Sequence, residues 1–101
     1  MTIQARSSAE TLDLLCGHKA ELVERFGVVE LALFGSAARD ALGPDSDVDI
    51  LVSFDGPTNP ERFFALQFYI EDLLGRPVDL VTDRALRRES RPYIEAEAVR
   101  V

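Results

Sequence analysis

The chain has 101 residues, 47% of them hydrophobic, which suffices for one core and leads to the expectation of a single domain over residues 1–101. Its 18 acidic against 11 basic residues leave a formal charge of −7, so tight binding to the phosphate backbone of bare nucleic acid, which needs a positive surface, is not expected. Cys16 is the only cysteine, which excludes an internal disulfide and fits a reducing cytoplasm; MTIQARSSAE lacks a signal-peptide core, and no run approaches the roughly 18 apolar residues of a membrane span.

Ser7 followed by Glu10 has the capping-box pattern, and Leu12, Leu15, Cys16, Leu22, Val23 and Phe26 then recur at helical spacing, predicting one amphipathic helix that ends at Gly27. Val28 to Phe34, VVELALF, is rich in strand formers and carries a single charge, as a mostly buried strand does. Ser36 to Leu42 reads as a short helix that Gly43-Pro44 stops, because proline disfavours helical backbone at the residue before it. After the loop Gly43 to Ser46, strand alternation in Asp47 to Phe54 sends Val48, Ile50 and Val52 to one face and Asp47, Asp49 and Leu51 to the other.

Asp55-Gly56-Pro57 is a turn, after which Asn59 as cap and Pro60 in the first helical position open a helix. It carries Phe63, Leu66, Ile70, Leu73 and Leu74 on one stripe and closes at Gly75 and Pro77. Val78 to Val81 is a third strand, with Val78 and Leu80 on one face and Asp79 and Val81 on the other. From Arg84 the pattern is weakly helical, with Arg84, Arg87, Arg88 and Arg91 ahead of Tyr93 and Ile94.

Strands alternating with helices predict a two-layer α/β domain in which the Val48, Ile50 and Val52 face packs on helices and the aspartate face stays open. An open face bearing carboxylates suits a hard cation, and magnesium is commonly held by a few carboxylates together with substrate phosphates. Asp47 and Asp49 stand about 6 to 7 Å apart along an extended strand, and Asp79 joins them if it comes from the neighbouring strand. Two ions about 4 Å apart could then serve both the attacking and the leaving oxygen of a nucleotidyl displacement. Gly35-Ser36 supplies a second half to such a site: a glycine after a strand allows close backbone approach, and a helix start offers N–H groups to phosphate oxygens. Arg39, one turn on, carries a planar fork suited to phosphate or carboxylate.

Gly35-Ser36, ten further residues and then Asp47-Val48-Asp49, extended by GSAAR, by Ser46-Asp47 and by RPVDLV with Asp79, resembles the minimal nucleotidyltransferases of the DNA polymerase beta superfamily. The resemblance runs from the first helix through the third strand. It implies the palm-like nucleotidyltransferase fold of that superfamily, a small mixed β-sheet with helices packed on one face. It further implies that Asp47 and Asp49 bind two Mg2+ ions, with Mn2+ as the alternative. Asp79 would complete the site at the metal that activates the acceptor, and Gly35 with Ser36 would hold the triphosphate. The donor would be a nucleoside triphosphate, most often ATP, with pyrophosphate leaving. Small members of this kind are frequently antitoxins that transfer AMP to a tyrosine of a helical HEPN toxin partner. The chain departs from the larger enzymes in having no added helical domain, so a partner or self-association is expected to complete substrate choice.

Other readings fit less of the chain. Asp47 and Asp49 by themselves also suit a solvated strand edge, and Gly35-Ser36 an ordinary strand-to-helix turn with a serine cap. Arg39 suits a surface ion pair with Asp40 or Asp45. Cys16 and His18 have no further cysteine or histidine with which to close a zinc site. A haloacid-dehalogenase phosphatase needs its aspartate after an apolar strand rather than after the Gly43 to Ser46 loop, and GSAAR lacks the lysine of a Walker loop. A binding module that neutralises a helical partner by surface contact, with inert aspartates, is the competing class. Phe63, Phe64, Phe68 and Tyr69 are expected to be core with one exposed edge.

Overall fold

The computed structural model describes residues 7–39, 43 and 46–101. Helix α1 (Ser8–Gly17) starts where the Ser7 side chain accepts from the Glu10 N–H, as the capping box requires. The single first helix expected from the spacing is two, because α1 and α2 (Lys19–Phe26) separate at His18, whose φ of −114° and ψ of 9° leave the helical well. Gly17 is a weak helix residue at that point, and His18 Nδ1 lies 2.9 Å from the Leu14 carbonyl oxygen. The break changes which side chains face inward. Thr11, Leu15, Leu22 and Phe26 are buried, whereas Cys16 and Val23, which the uninterrupted stripe had included, are exposed.

Strand β1 (Val28–Phe34) leads directly into α3 (Gly35–Ala38), a single turn; the rest of the helix expected through Leu42 lies outside the described residues. Strand β2 (Val48–Phe54), helix α4 (Pro60–Leu74) and strand β3 (Val78–Thr82) follow as expected. The Asn59 side chain caps α4 by accepting from the Arg62 N–H at 2.8 Å, with Pro60 behind it and Gly75 closing the helix at φ 69°. In the tail a 3-10 turn at Asp83–Ala85 precedes α5 (Arg91–Glu97) and a short strand, β4 (Val99–Arg100). That strand has no sequence signature, since two residues carry no alternation.

The strands form one mixed sheet in the order β3-β2-β1-β4, with β1 antiparallel to β2 and to β4, and β2 parallel to β3. The parallel pair needs a long crossover, which α4 supplies. Leu31 and Leu33 of β1, Val48, Ile50 and Val52 of β2, and Val78 and Leu80 of β3 pack against Leu15, Leu22, Leu66, Ile70 and Leu74. The α/β architecture with helices on this face therefore matches the expectation. Helix α4 also reaches over the outer edge of β3, where Gln67 donates to the Val78 carbonyl at 3.1 Å and the Val78 N–H donates to Glu71 at 3.0 Å. Among the described residues no helix is long and apolar enough to cross a membrane.

Ile50 is fully buried at the centre of the middle strand. Ile50→Ala should lower unfolding free energy by about 3 kcal/mol through lost burial and a residual cavity, and Asn59→Ala by about 1 kcal/mol through the lost cap. Urea unfolding measures both; a loss at Ile50 no larger than at Asn59 would contradict the core assigned here.

Candidate active site

The sheet register builds the site. In β2, Asp49 is the partner of Phe34 on one side and of Asp79 on the other. In-register parallel partners point to the same face, so once Val48 and Ile50 turn inward, Asp49 and Asp79 must share the open face. Asp47, two residues earlier, points the same way from just before the strand. Asp49 is half-buried, while Asp47 and Asp79 are exposed.

Burial, then the charges of Asp79 and Asp47, and then a hydrogen bond with Asp79 push the Asp49 carboxyl from 3.8 up to about 6, against the opposing charge of Arg39. Asp49 and Asp79 are in-register neighbours on β2 and β3, and Asp47 lies close enough for its charge to act on Asp49. Among the described residues no three acidic, histidine or cysteine side chains already form a ready metal cage. The pair nevertheless fits a hard divalent cation: its donors are all oxygens, its charges repel, and substrate oxygens can complete the coordination.

The bend between β1 and α3 lies against the same carboxylate. Gly35 has φ 62°, a left-handed backbone that other residues rarely adopt. A Cβ there would overlap Asp49 Oδ2 and stand 3.2 Å from its Cγ, so the close approach requires glycine. Ser36, half-buried, opens the helical turn that follows, and Ala37 is buried beneath it. Arg39 ends that turn; its guanidinium pairs with Glu97 at 3.0 Å, and Asp40 and Asp45, the partners expected from the sequence, lie outside the described residues.

Two residues near the site were not legible in the sequence. Glu97 Oε1 accepts from the Gly35 N–H at 2.9 Å, while its Oε2 accepts from Arg39. Arg76, buried, donates to the Gly43 carbonyl and, at 2.7 Å, to the carbonyl of Ser46, the residue just before Asp47. Its place between Gly75 and Pro77 hints only at a loop. Within the Arg84 to Arg91 cluster, Arg91 is held by Asp83 at 2.7 Å and by Glu95 at 3.4 Å. Elsewhere on the sheet's open face a cleft of about 220 Å³ is bordered by Ala32, Leu51, Ser53, Glu95 and Arg100, and none of the three aspartates lines it.

A carboxylate pair on an open sheet face, with a glycine-serine bend packed on one of them, is a recurrent frame for handling a polyphosphate. A family model for the nucleotidyltransferase domain matches residues 15–101, and the chain belongs to that family. It is a nucleotidyltransferase of the minimal kind. The protein adenylyltransferase MntA of Thermococcus cleftensis is 47% identical over 78 residues, covering 77% of this chain and 79% of that protein. A solved structure described as a candidate minimal nucleotidyltransferase superposes with a TM-score of 0.75 at 34% identity, covering 88% of this chain and 93% of the other. A chain from the complex of the tri-AMPylated Shewanella oneidensis HEPN toxin with MNT antitoxin shares the fold, with a TM-score of 0.63, 19% identity, and 87% and 69% of the two chains covered.

Because folding raises the Asp49 pKa, the protonated side chain is the one the native state favours, and its contribution to stability is lost as pH rises through about 6. In a chelator, Asp49→Asn should therefore raise the melting temperature at about pH 7.5 and leave it nearly unchanged at about pH 3, below the unfolded-state pKa. Differential scanning calorimetry at the two pH values reads the difference, and equal shifts would exclude the repulsion described. Gly35→Ala, which combines left-handed backbone with overlap at Asp49, should cost about 2 kcal/mol in chemical unfolding.

Proposed function

We propose that the chain transfers AMP from ATP to a hydroxyl acceptor, a tyrosine of a HEPN-type toxin, and so acts as the antitoxin of a cytoplasmic toxin–antitoxin pair. The observation that carries this reading is the in-register pairing of Asp49 with Asp79 together with the packing of the Gly35 bend on Asp49, which supports a joint metal and triphosphate site. The adenylyl donor and protein acceptor follow from the T. cleftensis relative, which is named a protein adenylyltransferase. The toxin partner follows from the complex that shares the fold.

In this reading the acceptor oxygen forms a bond to the α-phosphorus, the bond from that phosphorus to the bridging oxygen breaks, pyrophosphate leaves, and the hydroxyl gives up its proton. Mg2+, or Mn2+ in its place, held by Asp47, Asp49 and Asp79, supplies neutralisation of phosphate charge and polarisation of the reacting oxygens when bound. Gly35 gives the triphosphate room to approach, Ser36 offers it a hydroxyl, and Arg39 an exposed cation one turn away. Asp79 lies on the edge strand, where an acceptor from another protein has access.

A neutralising module without chemistry is favoured by one observation, the exposure of Phe64 at 51% and Phe68 at 64%, one turn apart on α4. The two readings separate with one experiment: incubation with Mg2+, labelled ATP and the cognate partner. The expected result is label on the partner, reduced about 100-fold or more in Asp49→Asn, with toxicity restored by the same substitution. Full neutralisation by Asp47→Asn and Asp49→Asn, with no label transferred by the native protein, establishes the contact-only module instead.

A further inference from the structure

We propose that Glu97 is a positioning residue for nucleotide binding, one that holds the Gly35 bend and the Arg39 guanidinium as a preset unit facing the triphosphate. This rests on the nucleotidyl-transfer reading above and adds to it a residue from the far end of the chain. The two oxygens of one carboxylate divide between two partners, Oε1 with the Gly35 N–H at 2.9 Å and Oε2 with Arg39 at 3.0 Å.

Both partners need such a hold. Helix α3 is one turn long, and Phe34, its cap residue, offers no side-chain hydrogen bond. A single turn has little stability of its own. Glu97 provides the missing cap from 62 residues further along the chain. Arg39 is 60% exposed at its side chain, and left unheld it would lose rotamer freedom on gripping a phosphate. Ordering it in advance lowers that cost.

The fold holds Glu97 itself in place. Two residues beyond it β4 begins, with Val99 paired to Leu33 and Arg100 to Ala32, and the Val101 N–H donates to the Leu31 carbonyl at 2.9 Å. The strand that ends at the bend therefore anchors the segment that caps it. The nearby Glu95 is engaged by Arg91 and does not substitute.

The test is calorimetric binding of ATP with Mg2+ to the full chain, followed by KM and kcat for transfer to the partner. Glu97→Ala should weaken ATP binding about tenfold, with the loss falling on KM rather than on kcat, whereas Glu97→Gln, which keeps an acceptor for the Gly35 amide, should lose less. In an Arg39→Ala background the effect of Glu97→Ala should fall below about threefold, because the two side chains act through one contact. Tighter ATP binding by Glu97→Ala would mean that the carboxylate competes with phosphate and overturns the proposal. Native-like binding by both Glu97 variants overturns it too, as does a loss confined to melting temperature and active fraction. If Glu97→Ala does not fold, Glu97→Gln alone and with Arg39→Ala decides. Absence of ATP binding by the native chain removes the nucleotidyl-transfer reading and this one together.

Discussion

The in-register pairing of β2 with β3 sets two carboxylates side by side, and the rest of the site is arranged around that unfavourable contact. Asp49 and Asp79 are neighbours because their strands bury Val48, Ile50, Val78 and Leu80 on the opposite face. Sliding β3 by one residue would turn Asp79 inward and Val78 and Leu80 outward. The hydrophobic core thus enforces the repulsion: the burial that stabilises the sheet leaves the acidic residues one common face.

The electrostatic tension is local and directed. Asp49, half-buried and beside two neighbouring acids, has its carboxyl pushed up to about 6. A site that resists full ionisation when empty gains most from a cation, and here that site lies against the bend at Gly35. Under the proposed function, an unfavourable arrangement in the free protein becomes a source of differential binding for metal and nucleotide.

The two ends of the sheet are treated differently. At β3, α4 satisfies edge groups through Gln67 and Glu71 and leaves Asp79 open. At β1, the tail adds β4 and, through Glu97, returns to the bend beside Asp49. One flank of the sheet thus carries the exposed Asp79, and the other is extended by β4. The exposed Phe64 and Phe68 lie on α4, the helix that packs against the sheet face opposite the aspartates.

Local physical chemistry written in short stretches was legible without coordinates. Alternation in Val48 to Phe54 assigned faces to Asp47 and Asp49, Asn59-Pro60 marked the start of α4, and Gly35 announced a bend that no other residue accommodates. Long-range choices were not legible, because they depend on which segments meet. The break at His18 turned Cys16 and Val23 outward although the spacing suited one helix. Strand β4 exists only because β1 presents an edge to it, and Arg76 acts only because the carbonyls of Gly43 and Ser46 come within its reach. The one-residue precision that joins Asp49 to Asp79, and the carboxylate of Glu97 to Gly35 and Arg39, belongs to tertiary structure: register and chain return are set by the packing of the whole core, which no local pattern contains.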